Sequence, residues 1–158
     1  MLSLKDFEIN VTKESASSAD AKLLIKELSD ELGARYGDDG SGAFKPDDTE
    51  VPNACFVIAR IAGNSVGCGA LVPLHDEIAE VKRMYVKKEI RGKGISIKIL
   101  AELEKYAKEF GYKKIWLETG VMQPEAIGLY EKAGYIRIKN YGKYENNPLS
   151  VCYEKIVT

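Results

Sequence analysis

The spacing of hydrophobic and polar positions changes period several times along the chain, and each change predicts an element. Phe7, Ile9 and Val11 alternate with polar neighbours from Phe7 to Thr12, which predicts a strand. Ser17 or Ser18 then offers an N-cap, with Asp20 as capping partner. Ala21, Leu24, Ile25, Leu28 and Leu32 recur at helical spacing until Gly33 or Gly37. Ala54 to Ala62 and Ser65 to Leu74 are β-rich runs joined by Gly63-Asn64, a tight-hairpin signal. Glu77 to Val86 reads as a further strand. Past Gly92 and Gly94, a stripe of Ile95, Ile99, Leu100, Leu103, Ala107 and Phe110 marks an amphipathic helix that Gly111 stops. Lys113 to Thr119 predicts a strand. Pro124 to Ala133 predicts a helix opened by its proline and stopped by Gly134. Tyr135 to Ile138 and Ser150 to Val157 are the last strands.

The order β-α-loop-β-β-β-α-β-α-β-β, with no repeat or linker, predicts one domain over residues 1–158. The fold class is α/β (α+β): a mixed, mostly antiparallel sheet of about seven strands with helices on both faces. Between the first helix and the hairpin, Arg35 to Asn53 is too long and polar for a simple connector. It is read either as a functional or mobile loop or as a disordered surface excursion.

Composition narrows the function. At 158 residues with 45% hydrophobic and 30% charged, the chain has the size and balance of a globular domain with its own core. Net charge is −1 from 23 basic and 24 acidic residues, which gives no electrostatic footprint for nucleic acid or an anionic membrane. No apolar run approaches the roughly 20 residues of a membrane helix, and the N-terminus lacks signal-peptide character, so a soluble, cytoplasmic protein is expected. Cys55, Cys68 and Cys152 fit reduced, buried thiols, and the single His75 argues against a metal site.

The most informative stretch is Val81 to Leu100: an apolar strand, a charged turn, two close glycines and a helix. A glycine-rich turn entering a helix presents unpaired N–H groups beside the positive end of the helix dipole, a place suited to phosphates. Neither a Walker loop nor a dinucleotide fingerprint fits, because Ile95-Ser96 and Ile97 stand where those templates need other residues. Arg91-Gly92-Lys93-Gly94-Ile95-Ser96 instead resembles the R/Q-x-x-G-x-G/A motif of the GCN5-related N-acetyltransferase (GNAT) superfamily. About 30 residues further on, Pro124 to Tyr135 resembles that family's A-x-x-L-Y-x-x-x-G-F/Y motif. The element order agrees as well. Ser96 stands where the family has Gly or Ala, and Gln123-Pro124 stands where many members carry an asparagine.

The resemblance implies acetyl-CoA as co-substrate, a primary amine of a small molecule or peptide as acceptor, and room for a homodimer. It implies that the strand ending in Met84, Tyr85 and Val86 splays from its neighbour to receive the pantetheine arm, with a backbone N–H near Met84 on the thioester carbonyl. The amides of Arg91 through Ser96 would hold the pyrophosphate, aided by the Arg91 and Lys93 side chains, with Gln123 near the arm. Tyr130 is implied as general acid. Glu80 is the first choice of base, and Glu118 lies at the far end of the neighbouring strand. The acidic loop (Asp38, Asp39, Asp47, Asp48, Glu50) suggests a cationic acceptor, whereas Arg35 and Tyr36 suggest a carboxylate. A non-catalytic acyl-CoA sensor is the alternative from another class, and a nucleotide-binding regulator the third.

Overall fold

Residues 8–38, 42 and 44–158 are described in a computed structural model. Along the chain these are β1 (Ile9–Lys13), α1 (Ala19–Tyr36), β2 (Cys55–Ile61), β3 (Asn64–His75), β4 (Ile78–Val86), α2 (Ile95–Glu109), β5 (Lys114–Gly120), α3 (Pro124–Lys132), β6 (Ile136–Ile138) and β7 (Ser150–Ile156). The strands make one seven-stranded sheet in the order β1-β2-β3-β4-β5-β7-β6. Every pairing is antiparallel except β4 with β5, which is parallel. Phe7 of the expected first strand and Asp39 of the acidic loop lie outside the described residues.

Each helix follows from its apolar stripe. On α1, Ala21, Leu24 and Leu28 are buried against Cys68, Ala70 and Val72 of β3. Ser18 caps this helix by accepting from the Ala21 amide at 3.1 Å, and Gly37 ends it at φ +79°, where glycine bears no Cβ penalty. Asp20 does not share the cap. It pairs with Arg60 at 2.8 Å, a strand residue 40 positions away. On the opposite face, Ile95, Ile99, Leu100, Leu103 and Ala107 of α2 form the main core with alternate residues of the sheet, and α3 packs beside it. Gly69 allows this closeness: a Cβ there would lie 2.9 Å from Ile99, Leu103 and the Met84 sulfur.

Two of the backbone irregularities among the described residues bear directly on the sequence pattern. The hairpin turns at Ala62-Gly63, one residue earlier than Gly63-Asn64, because Asn64 already pairs with Ile61. Ala62 (φ +49°) and Gly63 (φ +82°) are both left-handed, as a two-residue turn matching the strand twist requires. The second lies in β4. Cys68 pairs with Tyr85 and Ala70 with Lys82, so two steps on β3 face three on β4. This bulge holds Arg83 at φ +56° and reverses the side-chain alternation beyond it. Ala79 and Val81 face α2 before the bulge, and Met84 and Val86 face α2 after it. Tyr85 consequently joins the cluster beneath α1.

Candidate active site

β4 and β5 pair only over Ile78–Val81 with Lys114–Leu117. Beyond that point each stays paired with its outer neighbour, and the two stop pairing with each other. A cavity of about 500 Å³ lies there, reaching from Leu28 and Phe44 beneath α1 to Tyr130 and Ala126 on α3. From Lys82 onward β4 lacks a partner on the β5 side, so its backbone edge faces the gap. Within the bulge, Arg83 and Met84 also lack a ladder partner in β3.

Past the end of β4, the turn before α2 leaves backbone amides unpaired. Gly92 (φ +79°) and Gly94 (φ +82°) take left-handed conformations, and Gly94 caps the helix without a side-chain bond. No acidic residue occupies the first turn of α2. Lys98 is the first residue of α2 whose amide finds a carbonyl, that of Gly94 at 3.3 Å, so among the described residues the Ile95, Ser96 and Ile97 amides have no backbone partner. The Ile95 side chain is buried in the core and offers only its amide. Lys93 is exposed. Arg91 is turned inward: Nε donates to the Val86 carbonyl at 2.8 Å, Nη2 pairs with Glu31 at 2.7 Å, and the guanidinium lies 5.5 Å from the Tyr85 ring centre. The amides and glycines fit a pyrophosphate. The Arg91 side chain serves first to tie the turn to β4 and α1.

The middle of the gap holds Tyr130, 5% exposed and packed against Tyr135 and Tyr153. Among the described residues its hydroxyl makes no hydrogen bond. Burial, with the nearby Glu118, raises its pKa well above the ordinary phenol value, so it stays protonated at neutral pH. Where the gap opens beyond β5, Gln123 Oε1 accepts from the Gly120 amide at 3.2 Å and from the Tyr36 hydroxyl at 3.3 Å. The Tyr36 oxygen in turn accepts from the Met122 amide at 3.1 Å. Tyr36 therefore latches the end of α1 to the turn after β5. Arg35 is exposed and does not line the cavity.

At the other end the pleat brings Glu80, Lys82 and Glu118 to the α1 face of the sheet. Glu80, 5% exposed, accepts from the Tyr141 hydroxyl at 2.6 Å through Oε2 and lies 3.4 Å from the Lys82 amine through Oε1. Glu118 accepts from the Ser150 hydroxyl at 2.6 Å. Burial raises its pKa, Glu80 adds to the rise, and Ser150 and Lys82 oppose it. Tyr141 packs on Trp116 at 4.8 Å and on Tyr144 at 5.5 Å between ring centres. Lys143, between those two tyrosines in sequence, lines the cavity with its pKa lowered by burial and by Lys82.

The structure thus brings together Glu80, Met84, Glu118, Gln123, Tyr36 and Tyr130 around one cavity and sets the α2 turn beside it. Lys82, Tyr141, Lys143, Tyr144 and Ser150 escaped the sequence reading. The only local signal for them was tyrosines alternating with charge in the polar segment before β7. The acidic-loop argument changes too. Asp48 caps the Lys45 amide at 2.8 Å, Glu50 accepts from Ser15 at 3.1 Å, and Asp38 alone of the described loop acids lines the cavity. Asp48 thus helps fold its own segment, and Glu50 ties that segment to the turn before α1.

An open, splayed sheet with unpaired amides at a helix start and a phenol in the gap is the architecture of an acyl-CoA-type transferase fold, and comparison with known proteins agrees. The chain belongs to the acetyltransferase (GNAT) family, whose profile matches residues 21–135. An IAA acetyltransferase from Azospirillum brasilense is 34% identical over 148 residues, covering 93% of this chain and 97% of that protein. A Klebsiella pneumoniae structure described as an acyl-CoA N-acyltransferase superposes with a TM-score of 0.80 at 30% identity, over 95% of this chain and 98% of that one. A GNAT family acetyltransferase from Elizabethkingia anophelis, solved with acetyl-CoA bound, shares the fold with a TM-score of 0.69 at 19% identity over 94% of this chain and 97% of the other. No described helix is long and apolar enough to cross a membrane.

Proposed function

We propose that the protein transfers the acetyl group of acetyl-CoA to a primary amine by direct attack in a ternary complex. The observation that carries this reading is Tyr130, a buried phenol with a free hydroxyl at the gap where β4 and β5 part. Acetyl-CoA, when bound, supplies an activated acyl thioester. The Ile95, Ser96 and Ile97 amides, with Gly92 and Gly94, hold its pyrophosphate, and the open edge of β4 from Lys82 to Val86 pairs with its amide arm. The bulge leaves the Met84 amide outside the β3 ladder and so available to a developing oxyanion, a kind of donor worth roughly 3–4 kcal/mol. Gln123 and Tyr36 fix the turn that closes the far side.

An alkylammonium acceptor must lose a proton before it attacks, since its pKa is ordinarily near ~10. Glu80 and Glu118 both line the cavity, and Glu118 is proposed ahead of Glu80 as the base. Both Glu80 oxygens are committed, to Tyr141 and Lys82, whereas Glu118 gives one oxygen to Ser150 and has a raised pKa. The carboxylate takes the ammonium proton, the nitrogen lone pair forms the new C–N bond as the C–S bond breaks, Tyr130 gives its proton to the departing sulfur, and the second proton, shed by the new amide nitrogen, returns to the Tyr130 phenolate.

Thiol release from acetyl-CoA, with mass spectrometry of the acetylated product, across amino acids, polyamines, aminoglycosides and peptide N-termini tests this reading. Tyr130→Phe should lower kcat by at least about tenfold, with acetyl-CoA affinity within about twofold of wild type. An unchanged kcat removes Tyr130 from the reaction. Acetyl-CoA binding without thiol release for any amine would restore the sensor reading.

A further inference from the structure

The acceptor end of the cavity carries its charges in an arrangement that the transfer reaction alone does not demand. Glu80 and Lys82 satisfy each other, with Tyr141 and Tyr144 as further partners: the Lys82 amine lies 3.4 Å from both the Glu80 carboxylate and the Tyr144 hydroxyl. Two charged groups that line the cavity keep unused capacity. One is Glu118, whose only hydrogen bond among the described residues comes from Ser150. The other is Lys143, whose amine lies 5.5 Å from the Tyr144 ring centre and forms no ion pair among the described residues.

Lys143 is exposed, and it lines the cavity. It is held against Tyr144, whose hydroxyl also lies 3.4 Å from the Lys82 amine, in a segment that Asn140 staples by donating to the carbonyls of Tyr144, Asn147 and Ser150. Burial and the like charge of Lys82 lower its pKa, while Glu80, Glu118 and Asp38 oppose the shift. A cation placed beside another cation at a cavity wall gains from an anion arriving there. The acceptor's nitrogen, in contrast, must sit by a carboxylate that can take its proton. Tyr144, which lines the cavity and packs on Tyr141, suits the carbon skeleton between the two.

We propose that the acceptor is an amine bearing its own carboxylate, an amino acid or a close relative, with its ammonium at Glu118 and its carboxylate at Lys143. This rests on the transferase reading above and names the class of acceptor for it. Lys143 is then a specificity-determining residue on the β6–β7 segment, and Lys82 supports it by holding Glu80 away from the incoming carboxylate.

The test uses matched pairs that differ only by the carboxylate: tryptophan with tryptamine, phenylalanine with phenethylamine, leucine with isoamylamine. Calorimetric titration of each into the protein saturated with coenzyme A reads binding without turnover, and thiol release from acetyl-CoA reads turnover. The carboxylated member of at least one pair should bind about tenfold or more tightly than its partner, in line with one charge-assisted hydrogen bond. Lys143→Met should erase that difference and raise KM for the carboxylated acceptor, Lys143→Arg should restore most of it, and neither should change coenzyme A affinity. Equal binding of both members of every pair, or a preference that survives Lys143→Met, overturns the inference. Carboxylate-dependent binding without thiol release would uphold it while sinking the transferase reading.

Discussion

Tyr130 and Glu118 show how far single residues owe their chemistry to what surrounds them. Tyr130 is picked out by its place in a motif, yet the raised pKa of its phenol comes from burial in a wall of tyrosines beside a carboxylate. Glu118 was one of several strand carboxylates in the sequence. Its contact with Ser150, 32 residues away, and the raised pKa exist only once β5 and β7 pair. That shift has a thermodynamic consequence. A carboxyl pKa above the ordinary 4.5 means that the folded protein keeps this proton at pH values where the unfolded chain has lost it. Stability from this group is therefore full below about 4.5 and declines as pH rises through the raised value. Glu118→Gln should leave Tm unchanged near pH 4 and raise it at pH 8, measured by calorimetry. A Tm that fell at pH 8 would show that the charged form is favoured in the fold.

Among the elements, α2 was readable almost residue by residue. Its buried face is the stripe of Ile95, Ile99, Leu100, Leu103 and Ala107, and its start is marked by the two glycines. The end of α1 was not readable in the same way. Its last residue, Tyr36, lines the cavity, and its hydroxyl is held by Gln123 and the Met122 amide, a role that no local pattern signals. Gly120 makes the latch possible, since a Cβ there would lie 1.8 Å from the Tyr36 hydroxyl oxygen. Gly120→Ala should destabilise the fold by about 1–3 kcal/mol, as overpacking does. Tyr36→Ala in the same chain should recover part of that loss, since it removes the ring that the methyl strikes. Denaturant unfolding of the two single variants and the double variant reads the coupling. Additive losses would mean that the latch does not confine Gly120.

For the molecule as a whole, the sheet is both the core and the source of the site. Its parallel pair holds for four residues on each strand and then ends, so the cavity is a consequence of where pairing stops. The three cysteines, free and buried, belong to this packing. Burial pushes the Cys55 and Cys68 thiols up to about 12 and also raises Cys152. Thiolate is the reactive form, so an aromatic disulfide reagent at pH 7.5 should find no rapidly reacting thiol in the native protein and three after unfolding in guanidinium. Rapid labelling of the folded protein would place at least one cysteine on an accessible surface.

Hydrophobic periodicity specified which segments became strands and helices, because the burial of one face depends on neighbours two, three and four positions away. The glycines of the α2 turn and the tyrosine of α3 were legible for a similar reason, as short-range patterns with a chemical meaning. Alternation along β4 was misleading past Lys82. It would have set Lys82, Met84 and Val86 on one face, and the bulge at Arg83 sends Met84 and Val86 to the other. Nor was there a sequence signal that Asp20 belongs to Arg60, or that Glu80 is held by Tyr141 across 61 residues. Those pairings arise from strand register and from the early end of the β4–β5 ladder. Both depend on packing among segments far apart in the chain, which no local period records.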